Sequence, residues 1–401
     1  MEESGTDYFT DPKYEYEPTM FLKCHSKIRG DKNDRITKVW MCAFEPHLDY
    51  PEETTDLIAS CGSSSVCVTN VRTEQVVMKH YSKESKEDFF ALAWSSVNMR
   101  ELGKKKKSNI LAVAGAQCTL HLLHPSTRMC FFEEKFKKSK KVTISSLRFH
   151  SLATSVLCAS FSSGEVCVWD IGVPSLPDYE MKLSLLHTLS VESEIINLSF
   201  SRQCSSLLAA TDNGVVAWAL HLKELNDCKS KIKMWRFNFP LKPGVDDRDY
   251  QLVDSVEPIQ NGKIIASKCA LHGNIYLWDL EEAIEDCMGN SSTVRPAHIL
   301  NYSNTDNYFM SMGSSLLSGL LACGDDLGNI WLYDLKEVFS QSHERQEQSA
   351  VIPWPVVEEI GHGVVPKKEI VINKVVVDYK GNYIVAVTHT NLVCVWKKER
   401  L

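Results

Sequence analysis

This sequence predicts an all-β fold, a seven-bladed β-propeller, and three observations carry that prediction. One motif occurs seven times in 401 residues: a short apolar run, a small polar turn, then a second apolar run that closes on an aromatic residue or its substitute. The copies are evenly spread. Their closing positions, Thr69, Leu123, Trp169, Trp218, Trp278, Tyr333 and Trp396, lie 46 to 63 residues apart. Each copy also reads as a hairpin whose Gly, Ser, Asn or Asp turn tolerates tight-turn backbone angles. One such hairpin cannot bury its apolar face alone, whereas radial stacking of seven buries both faces and leaves only short edges.

The repeats run in order as DLIASCGSSSVCVTN (Asp56–Asn70), NILAVAGAQCTLHLLH (Asn109–His124), SVLCASFSSGEVCVWD (Ser155–Asp170), SLLAATDNGVVAWAL (Ser206–Leu220), KIIASKCALHGNIYLWDL (Lys263–Leu280), GLLACGDDLGNIWLYDL (Gly319–Leu335) and NYIVAVTHTNLVCVWKK (Asn382–Lys398). Trp169-Asp170 and Trp278-Asp279 are WD dipeptides and Tyr333-Asp334 is a near match, so the units read as WD40 repeats. Their spacing exceeds the usual period of about 40–45 residues, which longer loops explain. Residues 1–18 carry several acids and little aliphatic content and read as a mobile leader, with the propeller spanning 19–401. Thr19–Cys24 (TMFLKC) reads as a strand. Because the last repeat ends without a following outer strand, that segment is expected to complete the last blade and join the two ends. Two stretches interrupt the rhythm, His221–Gln251 and Gln341–Val365, and read as long connections, either solvated loops or binding surfaces.

Composition narrows the function classes. No run of about 18 apolar residues occurs, and the acidic start has neither a basic nor an apolar signal region, so neither a membrane span nor a secretory signal is expected. A soluble intracellular protein is the resulting expectation. The fourteen cysteines spread from Cys24 to Cys394 without a CxxC pair and sit mostly in apolar strands, as buried free thiols in a reducing compartment would. Histidine and cysteine spacing supports no metal site: His121 and His124 lie three apart in a strand and its adjoining turn, where alternation sends them to opposite faces. No nucleophile, metalloprotease or phosphate-loop motif is present, so neither an enzyme nor a cofactor is expected. The formal net charge of −7 argues against general coating of nucleic acid. Two basic runs stand apart: Lys104–Lys107 reads as a solvated loop. In the run from Lys135 to Lys141, Lys137, Lys138, Lys140 and Lys141 are either solvated or in contact with nucleosomal DNA or an acidic partner surface.

The segments FLKCHSKIRGDKNDRITKVWMCAFEPH (Phe21–His47), IASCGSSSVCVTNVRTEQVV, EDFFALAWSS, VCVWDIGVPSLPDYE (Val166–Glu180) and LLACGDDLGNIWLYDL resemble the WD40 domains of the leucine-rich repeat and WD repeat-containing, origin-recognition-complex-associated (ORCA) family. The likeness covers nearly everything from about residue 20 and includes non-repeat segments. It implies a nuclear chromatin protein that binds origin recognition complex subunits and repressive methyl-lysine histone marks, supporting DNA replication and heterochromatin. The leucine-rich repeats that precede the domain in that family are absent from this sequence, as in a fragment or a form that has lost them, and functions of that half do not carry over.

A more distant similarity runs to the Polycomb propeller EED, which reads trimethyl-lysine. Laid on this sequence, its aromatic cage falls on Trp40 in VWMCAF, Phe90 in DFFALAW, and Tyr308 and Phe309 in NYFMSM. A trimethylammonium group has no N–H to donate and is weakly hydrated, so ring faces attract its charge and pack its methyls. Phe90 and Phe309 stand where that family has tyrosines, which leaves the preferred methylation state open. Phe44 and Trp94, alternating with Cys42 and Leu92, read as core. An EED-like methyltransferase subunit, which requires a partner-helix groove, is the alternative; a general WD40 scaffold is another, and it expects the four aromatics to be buried apart.

Overall fold

A computed structural model describes residues 12–28, 31, 33–84, 86–136, 141–201, 205–227, 231–241, 251–259, 262–305, 307–341, 345–355 and 370–399. Each predicted hairpin forms the second and third strands of its own sheet, and the described residues build seven such sheets, antiparallel except where a short fifth strand adds in parallel to the fourth and fifth sheets in chain order. The turns explain why. Between Ser206–Thr211 and Gly214–Ala219, for example, Gly214 takes φ +84°, and a Cβ there would sit 2.4 Å from the Phe237 carbonyl oxygen.

The strand preceding each hairpin is innermost. These seven strands are Val39–Pro46, Phe89–Glu101, Ile144–Phe149, Ile195–Phe200, Val253–Ile259, Gly313–Ser315 and Ile372–Val377, and they begin blades 1 to 7. Each packs on the next, and the seventh returns to the first, so they ring a central channel. Apolar clusters lie where neighbouring blades meet. Phe237 of blade 4 and Trp278 of blade 5 are fully buried with ring centroids 5.1 Å apart.

The ring closes through the N-terminal segment. Tyr16–Leu22 runs antiparallel to Val393–Lys398, with Met20 opposite Val395 and Phe21 opposite Cys394, and becomes the outer strand of blade 7. This strand starts earlier than the expected boundary at residue 19. Tyr14 and Tyr16 are buried, and their hydroxyls donate to Asp334 Oδ2 (2.5 Å) and to the Gly381 carbonyl (2.7 Å). Two aromatic anchors thus order a segment whose acidity reads as a leader.

Three other expectations change. The stretch after His221 contains a short helix, Leu222–Asn226, and the outer strand of blade 4, Met234–Asn238. The stretch after Gln341 contains Ala350–Ile352, the outer strand of blade 6. Lys104–Lys107 is not a loop: these lysines begin the strand Lys104–Gly115, which pairs along its length with Phe89–Glu101 through a two-residue turn at Leu102 and Gly103. Their side chains are exposed, as a solvated run requires. The GVP segment docks on this long hairpin, where the Arg100 N–H donates to the Pro174 carbonyl and the Leu176 N–H to that of Arg100.

All twelve described cysteines are free thiols, and ten are buried. His121 and His124 do face opposite ways: His124 bonds Tyr179 and Ser108, while His121 packs on His80 and Phe89. No described helix is long and apolar enough to cross a membrane.

Candidate functional site

The inner strands share a device at their first residues. In blades 1, 2, 3, 4, 5 and 7 the pairing with the second strand slips by one residue, leaving Trp40, Phe90, Ser145, Ile196, Asp254 and Asn373 as the extra residues of β-bulges. A bulge bends its strand and re-aims one side chain. Repeated around the ring at the same end of each strand, these bulges decorate one mouth of the channel.

At that mouth lies a cavity of about 210 Å³ whose walls include Trp40, Phe90, Ser145, Glu194, Ile196 and Phe309. Small-molecule sites usually measure about 300–1,000 Å³, so this one suits the end of a side chain better than a whole metabolite. Trp40 and Phe90 meet edge to face, with centroids 5.7 Å apart and planes at 89°. Phe309 reaches the cavity from the loop before blade 6, which has no recorded bulge. Its backbone takes φ +67° instead. Tyr308 does not line the cavity; it is 48% exposed and leans on Phe309, with centroids 4.7 Å apart. Of the four aromatics, three therefore converge and the fourth stands beside them.

The next residues pin the Phe309 loop. Met310 and Met312 are fully buried, and their N–H groups donate to Asp254 Oδ2 (3.2 Å) and Ser255 Oγ (3.0 Å). Asp254 is in turn held by Lys268 Nζ at 2.7 Å, both groups being buried. The Ser311 N–H bonds the Asn373 carbonyl, tying the loop to blade 7.

Electrostatics favour a cation. Glu194 places a partly solvated carboxylate on the wall; its partial desolvation and then neighbouring Asp212 raise its pKa above the ordinary value. Asp88, next to Phe89, is raised by burial, an effect opposed by the Trp40 indole and other neighbours. Lys38 Nζ lies 5.0 Å from the Trp40 ring centroid, so this tryptophan already carries one ammonium group of the chain itself. Glu194 escaped the sequence reading. Aligning the repeats at their inner strands exposes it, because Glu194, Asp88 and Lys38 each immediately precede the first residue of one. Phe44 and Trp94 pack as core residues, and the Trp94 indole donates to the Ala43 carbonyl. Of the basic run, Lys137, Lys138 and Lys140 lie outside the described residues; Lys141 is exposed.

Seven blades, a cavity at the channel mouth and strands closed by the N-terminal segment define a WD40 propeller scaffold. The chain belongs to the family described as "Leucine-rich repeat and WD repeat-containing protein 1, WD domain", whose model matches residues 10–399. Leucine-rich repeat and WD repeat-containing protein 1 of Xenopus laevis is 32% identical over 394 residues, covering 95% of this chain and 53% of that protein. Its Homo sapiens counterpart is 31% identical over 396 residues, covering 96% and 58%. The chain thus spans about half the length of these relatives. Among solved structures, a chain from a humanized mutant of the Chaetomium thermophilum Polycomb Repressive Complex 2 superposes with a TM-score of 0.68 at 11% identity, covering 98% of this chain and all of that one. That likeness concerns the fold.

Proposed function

We propose that this propeller is a non-enzymatic, nuclear chromatin-binding module that takes a methylated lysine of a histone tail into the cavity lined by Trp40, Phe90 and Phe309. The observation that carries this reading is the convergence of three rings and the Glu194 carboxylate on one small cavity at the channel mouth. Rings and a carboxylate together attract a cation that has lost its hydrogen-bond donors. Lys38 is exposed and can leave the Trp40 ring when such a cation arrives. Tyr308 is a flank of the site, available to the peptide around the methylated residue. The WD40 scaffold is common to both readings; the general-scaffold alternative expects the aromatics buried apart, whereas three of them line one cavity.

The family resemblance supports a second partner, the origin recognition complex. Its subunits would bind elsewhere on the propeller, and a weak histone contact would add to that affinity by holding both partners on one particle. Nucleosomal DNA near Lys141 and its neighbours is a further proposed contact.

A calorimetric titration with trimethylated and unmodified histone peptides tests the site. The intact protein is expected to prefer the trimethylated peptide, and Trp40→Ala to weaken its binding about two- to thirtyfold, as loss of one cation–π contact implies. Equal affinity of the intact protein for both peptides would rule the reader function out. Affinity purification from nuclear extract then asks whether origin-recognition or methyltransferase subunits accompany the protein.

A further inference from the structure

Between the outer parts of blades 1 and 2, metal-ligating side chains from three strands face one another. His80 lies on Gln75–Tyr81, the outer strand of blade 1; His121 lies on Thr119–His124, and Cys130 and Glu133 on Met129–Lys135, in blade 2. One ligating atom from each of His80, His121 and Cys130 falls within 4.8 Å of the other two. Cys130 Sγ and Glu133 Oε2 each lie 3.9 Å from His121 Nδ1.

A bulge assembles this group. His121 pairs with Glu133, yet two residues on Leu123 pairs with Cys130, because Phe131 is the extra residue of the outer strand. Residues 121 and 123 share a face, so their partners 133 and 130 share it too. Without the slip, Cys130 and Glu133, three apart, would point opposite ways. Spacing along the sequence therefore hides the cluster.

His80 Nε2 and His121 Nε2 are buried with no hydrogen-bond partner among the described residues, and His121 is fully buried. A metal bound at His80 Nε2 would engage that nitrogen, which is costly to leave unpaired, whereas the His121 atom facing Cys130 and Glu133 is Nδ1.

We propose that His80, His121, Cys130 and Glu133 form a zinc(II) site that staples blade 1 to blade 2. Two imidazoles, one thiol and one carboxylate suit zinc rather than magnesium or calcium, which take oxygen ligands. Tetrahedral zinc sets neighbouring ligand atoms about 3.3–3.6 Å apart, so the atoms of His80, His121 and Cys130, within 4.8 Å of one another, must draw together, and the Glu133 side chain, whose Oε2 lies 3.9 Å from His121 Nδ1, must swing in to complete the set. On binding, Cys130 gives its thiol proton to solvent and ligates as thiolate. The Glu133 carboxylate, 36% exposed, provides the route by which the ion enters. A second cluster, Cys24, His25 and Cys67, is unsuited, since both His25 ring nitrogens are already bonded to Ser65 Oγ (2.9 Å) and Ser60 Oγ (2.8 Å).

The test loads chelator-stripped protein with zinc(II) and, separately, with cobalt(II) as a spectroscopic substitute. One equivalent of zinc should be retained after desalting, with a rise in melting temperature on the order of 5 °C. The cobalt form should show tetrahedral bands and a charge-transfer band of a single thiolate. Cys130→Ser should remove that band, and His80→Asn should cut zinc affinity at least tenfold. Glu133→Gln, at an exposed position that leaves the core intact, should weaken cobalt binding while keeping the band. Failure of the intact protein to retain either ion overturns the proposal, as does a spectrum of two thiolates, which would place the ion at Cys24 and Cys67.

Discussion

Phe309 occupies a left-handed backbone region that side chains disfavour, at a cost on the order of 1–3 kcal/mol. Its neighbours hold it there: buried Met310 and Met312 on one side and the Asp254–Lys268 pair beneath them. A buried ion pair contributes little net stability, so its use here is to fix the loop in one position. Asp334 shows a similar economy, since it caps the helix Leu335–Ser340 and also accepts from Tyr14 and Lys13. Glu87 is more exposed to consequence. Burial pushes its carboxyl up to about 7, and Oε2 has no partner among the described residues. The folded protein therefore binds a proton that the unfolded chain, near the ordinary 4.5, has already released. Stability from this group is full below pH 4.5 and is lost as pH rises through about 7, to the extent of about 3 kcal/mol. Glu87→Gln, neutral throughout, should match the parent protein in urea unfolding at pH 4.5 and exceed it at pH 8. Parallel pH profiles of the two proteins would show that Glu87 is not the source.

At the scale of strands, site geometry depends on where pairing slips. The bulges at Trp40 and Phe90 lift these rings out of simple alternation, and close backbone approach fixes the slip. A Cβ added to Gly115 would lie 1.9 Å from the Asp88 carbonyl oxygen and 2.8 Å from Phe89 Cα, the residues leading into Phe90. Gly62 is equally tight against Lys38 and Val39, just before Trp40. Gly115→Ala must displace that backbone, and should cost about 1–3 kcal/mol. If the site acts as proposed, methyl-peptide binding should fall with it; a variant that melts and binds like the parent would disconnect the bulge from the site. The hairpins were legible in the sequence because their turns use Gly, Ser, Asn and Asp between apolar runs. Slips were not legible, since one inserted residue leaves composition unchanged. Trp40, Phe90 and Phe309 could be found by resemblance, whereas Tyr308 matched equally well but stands outside the cavity. The outer strands of blades 4 and 6 were hidden by polar, irregular flanks that read as connections.

Across the whole molecule, seven regular hairpins made the ring legible, and the missing outer strand of the last repeat pointed to the way it closes. The start of the closing strand was harder to place, because acids surround the two tyrosines that anchor it. Phe21, Trp354 and Trp396 form an aromatic cluster with centroids 5.5, 5.9 and 6.0 Å apart, joining the closing strand to blades 6 and 7. Lys13 adds bonds of 2.9 Å to Asp334 and 2.8 Å to Glu337, but its side chain is half exposed and the pairs contribute little. The weight of closure falls instead on the strand ladder and on buried Tyr14, Tyr16 and Met20. Met20→Ala removes a buried thioether that packs on Val385 and Val395 in one cluster, and should cost about 2–5 kcal/mol. Removing residues 12–22 takes away every such contact and leaves Val393–Lys398 as an unpaired edge. Such an edge invites pairing with another chain. The truncated protein should therefore melt more than 10 °C lower than the parent, at about 2–4 °C per kcal/mol for chains of 150–250 residues and less for longer ones. It should also self-associate in a concentration-dependent manner by light scattering. A truncated protein that stays monomeric and melts at the parent's temperature would mean that the ring is held by its inner strands alone.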